Sequence, residues 1–107
     1  MATLDKVDAS KIGLCGISWG GVITSLVIGH DPNFAFAIPI YGSGYLGTDH
    51  TLGSIKKYFT SESVRSRFLA EDRFQNVKAP VLWLCWNDDN NFSIQANSAS
   101  YLDTCPA

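Results

Sequence analysis

The segment that most limits what this chain can become is Gly16-Ile17-Ser18-Trp19-Gly20-Gly21, because it joins two stretches of different periodicity with no residue to spare. Before it, residues 11–17 (KIGLCGI) form a short apolar run that suits a strand buried on both faces, as in a parallel sheet. After it, Trp19, Val22, Ile23, Leu26 and Val27 recur at i, i+3, i+4, i+7 and i+8, the stripe of an amphipathic helix. Gly29 and Asp31-Pro32 stop that helix. A strand that turns straight into a helix wants glycine on either side of the turn so that the two elements can approach, and it lifts the residue between them above the sheet edge. That residue is Ser18. A branched side chain at Gly20 is accordingly expected to block helix–strand packing.

The same alternation continues downstream. Residues 34–41 (FAFAIPIY) read as a second buried strand in spite of Pro39, and Gly42-Ser43-Gly44 breaks it. No clean period runs through residues 45–60, whose glycines point to a long surface loop bordering a site. Residues 61–71 suit a short helix capped by Ser61. Pro80 introduces a third apolar run, residues 81–86 (VLWLCW), which ends in Asn87-Asp88-Asp89-Asn90-Asn91. Ile94, Ala96, Tyr101 and Leu102 mark a last helix. The fold class is therefore α/β, with about three parallel strands, flanking helices and one domain over residues 1–107. Reactive groups in such sheets sit beyond the carboxyl ends of the strands, which brings Ser18 and the Asp88–Asp89 loop to one edge.

Composition narrows the chemistry. A net charge of −2 without a basic run lacks the electrostatic footprint of a nucleic-acid binder. Cys15, Cys85 and Cys105 form an odd set without metal-ligand spacing, which reads as buried, reduced thiols and no metal site. No stretch approaches the length of a membrane-spanning helix, and the first ten residues hold no apolar leader core, so neither a membrane partner nor a compartment is indicated.

A serine at a helix N-terminus has a chemical use. The helix dipole and the backbone N–H of Trp19 face the position where an oxyanion forms when the hydroxyl attacks a carbonyl. The alternative, a phosphate-binding loop at a tight strand–helix turn, is disfavoured by the missing Lys of the P-loop pattern and by the spacing of Gly16 and Gly20. A serine nucleophile needs a histidine base, itself oriented by a carboxylate. Asp88 and Asp89 follow the serine in the order Ser, Asp, His that this turn demands, whereas His30 and His50 both precede them. His30 closes the helix that starts after Ser18, roughly 18 Å from it, and reads as a helix C-terminal cation. His50 falls in the long loop.

These residues resemble a known group. DASKIGLCGISWGGVITSLVIGHDPNFAFAIPIYGSGYLG is similar to the nucleophile region of α/β-hydrolases of the acetyl xylan esterase and dienelactone hydrolase type, which also resemble prolyl oligopeptidase-like peptidases. APVLWLCWNDDNNFSIQANSASY resembles the acid-bearing strand and loop of the same group. The resemblance implies a central slice of the α/β-hydrolase fold. It gives Ser18 as nucleophile, the Trp19 N–H as oxyanion donor, Gly16, Gly20 and Gly21 as the structural turn, and Asp88 as acid with Asp89 as the alternate. Cys85 and Trp86 depart from the glycine and small polar residue usual before that acid. It further implies an ester-hydrolysing serine enzyme with a small-molecule ester substrate, no cofactor, and a histidine from outside these 107 residues. Two alternatives stand beside it: a fragment of a prolyl oligopeptidase-like peptidase, and a catalytically incomplete module that associates with itself through exposed sheet edges.

Overall fold

The computed structural model describes residues 4–46, 58, 61–67 and 69–105. After a short 3-10 turn at Ala9–Lys11 come strand β1 (Gly13–Ile17), helix α1 (Trp19–His30) and strand β2 (Phe36–Ile40). Helix α2 (Glu62–Arg65), a 3-10 helix at Ala70–Asn76 and helix α3 (Ile94–Thr104) follow. The helix expected over residues 61–71 is thus a single turn that ends at Arg65, Ser61 precedes it without the expected side-chain cap bond, and a separate 3-10 segment begins at Ala70. The loop expected over residues 45–60 lies mostly outside the described residues, and His50 with it.

Strands β1 and β2 pair in parallel, Gly13 opposite Phe36 and Ile17 opposite Ile40, with α1 as the crossover between them. The third apolar run adds to the other edge of β2. Ala37 bridges Val81 and Ile40 bridges Leu84, both in parallel. Four bonds hold this rung system: Ala37 N–H to the Pro80 carbonyl at 3.1 Å, Leu82 N–H to Ala37 at 2.9 Å, Leu84 N–H to Pro39 at 3.1 Å and Tyr41 N–H to Leu84 at 2.9 Å. A parallel ladder would next require an N–H from Pro39, and proline has none. One missing donor thus turns a continuous strand into a pair of bridges.

The two sheet faces differ. Leu14, Gly16, Ala37, Pro39, Val81 and Trp83 alternate onto the helical side. There Trp83 donates its indole N–H to the Thr104 hydroxyl at 2.9 Å and meets Phe74 edge to face. On the opposite face Ile17, Phe36, Leu82, Leu84 and Trp86 are exposed. The expectation of strands buried on both faces therefore fails for this face: α1 and α3 meet the sheet from the other side. The thiols follow suit. Cys15, Cys85 and Cys105 are free and exposed, not buried, Cys15 because it alternates onto the uncovered face.

Helix α1 approaches the sheet through small residues. Its buried positions are Gly21, Val22, Thr24, Ser25, Ile28 and Gly29, while Trp19 and Ile23 of the expected apolar stripe are exposed. The Thr24 and Ser25 hydroxyls bond back to the carbonyls of Gly20 and Gly21 at 2.8 and 2.9 Å, which satisfies them without solvent. No helix among the described residues is long and apolar enough to cross a membrane.

Candidate active site

Ser18 stands between β1 and α1 with φ 57° and ψ −117°, a backbone conformation that non-glycine residues rarely adopt. Two bonds pin it there. Its N–H donates to the Ile40 carbonyl at 2.8 Å, the last rung of the sheet, and its own carbonyl accepts the Val22 N–H at 3.1 Å, the first turn of the helix. Trp19 is the first residue of α1, so its N–H belongs to the positive end of the helix dipole.

The turn is permitted by Gly16, Gly21 and Gly42. A Cβ on Gly16 would lie 2.1 Å from the Gly20 carbonyl oxygen, one on Gly21 2.8 Å from the Ile40 oxygen, and one on Gly42 2.7 Å from the Ser18 oxygen. Gly20 differs from the expectation: a Cβ there meets nothing within 4 Å. Its carbonyl, rather than its missing side chain, forms the crowded contact, and that carbonyl crowds Gly16. Gly42 is the partner the sequence reading missed, since its closeness to α1 appears only once β2 lies beside β1.

Ser18, Tyr41, Trp86, Asp88, Asp89, Asn91 and Phe92 line a cavity of about 360 Å³. Both candidate carboxylates thus share it with the serine, but they are held differently. Asp89 is half-buried, and its Oδ1 accepts the N–H groups of Asn91 at 2.7 Å and Phe92 at 2.9 Å. Asp88 is exposed and makes no side-chain hydrogen bond with the described residues. His30, the basic residue at the end of α1, lies at the opposite end of the helix from Ser18.

Tyr41, Trp86, Asn91 and Phe92 are cavity residues that sequence reasoning did not single out. Tyr41 follows β2 with φ 51°, and its ring meets that of Trp86 edge to face at 6.0 Å. The loop behind Tyr41 is braced from two helices. The Gly44 N–H donates to the Ser100 hydroxyl at 3.0 Å and the Tyr45 N–H to Glu71 Oε2 at 2.8 Å, while the Tyr45 hydroxyl bonds Asp103. Burial, reinforced by the Asp103 carboxylate, pushes the Tyr45 hydroxyl up to about 12, and burial likewise raises the Glu71 carboxyl above the usual range. Among the described residues no group of three or more His, Cys, Asp or Glu side chains is placed to hold a metal ion.

The sequence profile of the dienelactone hydrolase family matches residues 1–104. No curated protein matches the chain. Among solved structures, an acylaminoacyl peptidase in complex with Z-Gly-Gly-Phe-chloromethyl ketone is similar over 92% of this chain, with a TM-score of 0.77 and 24% identity. The uncomplexed acylaminoacyl peptidase of Pyrococcus horikoshii matches the same share with a TM-score of 0.78 and 24% identity. In both cases the match covers 18% of the peptidase chain. At that identity the likeness concerns the fold, and it is an α/β-hydrolase fold.

Proposed function

The chain belongs to the dienelactone hydrolase family, and from that premise we propose that it carries the nucleophile and the acid of a serine hydrolase acting on carboxylic esters. The observation that supports this most is the Ser18 backbone, held at φ 57° on the N-terminus of α1 and facing a cavity that also holds two carboxylates.

Ser18 Oγ attacks the ester carbonyl carbon as a histidine takes its proton, giving a tetrahedral oxyanion that accepts the Trp19 N–H. Collapse expels the alcohol, which recovers the proton from the histidine, and leaves an acyl-Ser18 ester. Water then repeats the sequence and releases the acid. A carboxylate from the residue 88–89 pair orients the histidine. Asp89 suits this role better than Asp88, because two backbone N–H groups fix one oxygen and leave the other for an imidazole N–H. The histidine comes from outside these 107 residues: His30 sits at the wrong end of α1, and His50 precedes the acid in chain order. The oxyanion, proton and acyl transfers require no cofactor.

The test is covalent labelling of a full-length protein by a fluorophosphonate. Ser18 should be labelled, and Ser18→Ala should not; equal labelling of both removes the assignment. Turnover of matched nitrophenyl esters and peptide anilides then separates an esterase from a peptidase.

A further inference from the structure

The walls of the Ser18 cavity carry information on which substrates it admits. Tyr41 and Trp86 stand against each other at 6.0 Å, and Phe92, 3% exposed, closes the apolar side. Among the described residues lining it, the charged ones are Asp88 and Asp89, and none is cationic. If Asp89 is occupied in fixing the loop and orienting a base, Asp88 is left over: an exposed carboxylate on the wall with no side-chain bond to the described residues.

We propose that this cavity selects esters whose acyl or leaving group is aromatic and either uncharged or cationic, and that it rejects anionic ones, with Tyr41 and Trp86 as the recognition surface and Asp88 as the charge filter. This rests on reading the Ser18 cavity as the substrate site. Aromatic rings offer their faces and edges to a flat substrate group and attract a cation through the ring quadrupole. Two carboxylates in a cleft with apolar walls focus a negative potential, which lowers the local concentration of an anion and raises that of a cation. The open cleft of about 360 Å³ has room for one such group beside the reacting carbonyl.

The experiment measures binding rather than turnover, so that it stands apart from the hydrolase assignment. Three acetanilides differing only in the para substituent (methyl, carboxylate or aminomethyl) are titrated by calorimetry into a full-length protein carrying Ser18→Ala at 50 mM salt. The neutral and cationic probes should bind about tenfold or more tightly than the carboxylate, a gap of ~1.4 kcal/mol. Asp88→Asn should shrink that ratio to about a third or less, as should 0.5 M salt, because both weaken the field. Trp86→Ala should weaken the neutral and cationic probes together. Carboxylate binding as tight as the neutral probe, a ratio that Asp88→Asn leaves unaltered, or no binding of any probe at millimolar concentration overturns the proposal. Loss of fluorophosphonate labelling with this selectivity intact would remove the hydrolase reading alone.

Discussion

The amide of Ser18 donates to the carbonyl of Ile40 at 2.8 Å, so the residue at the strand–helix turn is itself the closing rung of the parallel sheet. This bond explains how φ 57° persists at a non-glycine residue. The Val22 N–H bonded to the Ser18 carbonyl completes the clamp, and strain of this kind survives only where the surroundings over-determine it.

Removing the Cβ of Ser18 should therefore stabilise the fold. Ser18→Gly relieves an unfavourable backbone conformation, and the gain should be about 1 kcal/mol, less the extra entropy of an unfolded glycine. Ser18→Ala keeps the Cβ and should gain little. Urea unfolding of the two variants side by side is the measurement; an alanine variant as stable as the glycine one would show that the conformation is not strained.

Gly16 and Gly20 flank the serine symmetrically in sequence and should behave oppositely. Gly16→Ala drives a Cβ into the Gly20 carbonyl at 2.1 Å and should cost ~3 kcal/mol or more. Gly20→Ala meets open space inside the first turn of α1 and should be neutral or better by up to ~1 kcal/mol, because alanine is the stronger helix former. Thermal melts of both variants decide the matter, and destabilisation by Gly20→Ala would restore the symmetric reading.

The contrast shows what was legible in the sequence. β1, α1 and β2 follow from local patterns, the strand ends displaced by one or two residues from the apolar runs, because the G-x-S-x-G turn is written in consecutive residues. Which glycine is crowded depends on where β2 lies, and that is a tertiary fact. Gly42 is 24 positions from Ser18 in the chain yet would place a Cβ 2.7 Å from its carbonyl oxygen. The broken third strand is foreshadowed by Pro39, but only once register sets that residue opposite residue 83. The exposure of Cys15 is not legible because an apolar strand pattern states that two faces want cover without stating that both receive it. The acid shows a similar limit: Asp88 fits the chain-order pattern, whereas the paired N–H groups that hold Asp89 arise from the loop's folding.

In a full-length protein the two aspartates should separate. Asp89→Ala strands the Asn91 and Phe92 N–H groups and removes the imidazole's partner, so kcat for a nitrophenyl ester should fall by about 10³–10⁴. Asp88→Asn should leave kcat for a neutral ester within about threefold, since the loss of a triad carboxylate costs far more. The opposite ranking would return the acid role to Asp88, the residue that the chain-order pattern designates.

Glu71 supplies a pH dependence. Burial raises its folded-state pKa above the unfolded value, so the native state holds the proton more tightly. The associated stability is present in full below the ordinary glutamate range and is lost as pH rises through the folded value. Glu71→Gln keeps an oxygen to accept the Tyr45 N–H and has no proton to lose. Between pH 4 and pH 8 the urea midpoint of this variant should fall less, or rise more, than that of the parent chain. Parallel profiles would mean that the Glu71 carboxylate is ionised at no cost.

The uncovered sheet face should draw copies of the chain together. Ile17 is 62% exposed, Leu82 55% and Trp86 60%, on the side opposite α1 and α3. Parallel sheets are ordinarily covered on both sides, and a contiguous apolar face in water favours association. The outer edge of residues 81–85 adds to this: it is apolar and carries no charged residue or proline to discourage pairing. The isolated 107-residue chain should therefore associate as its concentration rises, with Cys15 as the reporter. Cys15 lies on that face and is exposed, so a thiol reagent should modify it rapidly in dilute solution and more slowly as light scattering increases. Cys105, beyond α3, should keep its rate. Charged replacements at Ile17 and Leu82 should lower the scattering and restore the reactivity of Cys15 together. A chain that stays monomeric at high concentration, with Cys15 equally reactive throughout, would show that this face needs no cover.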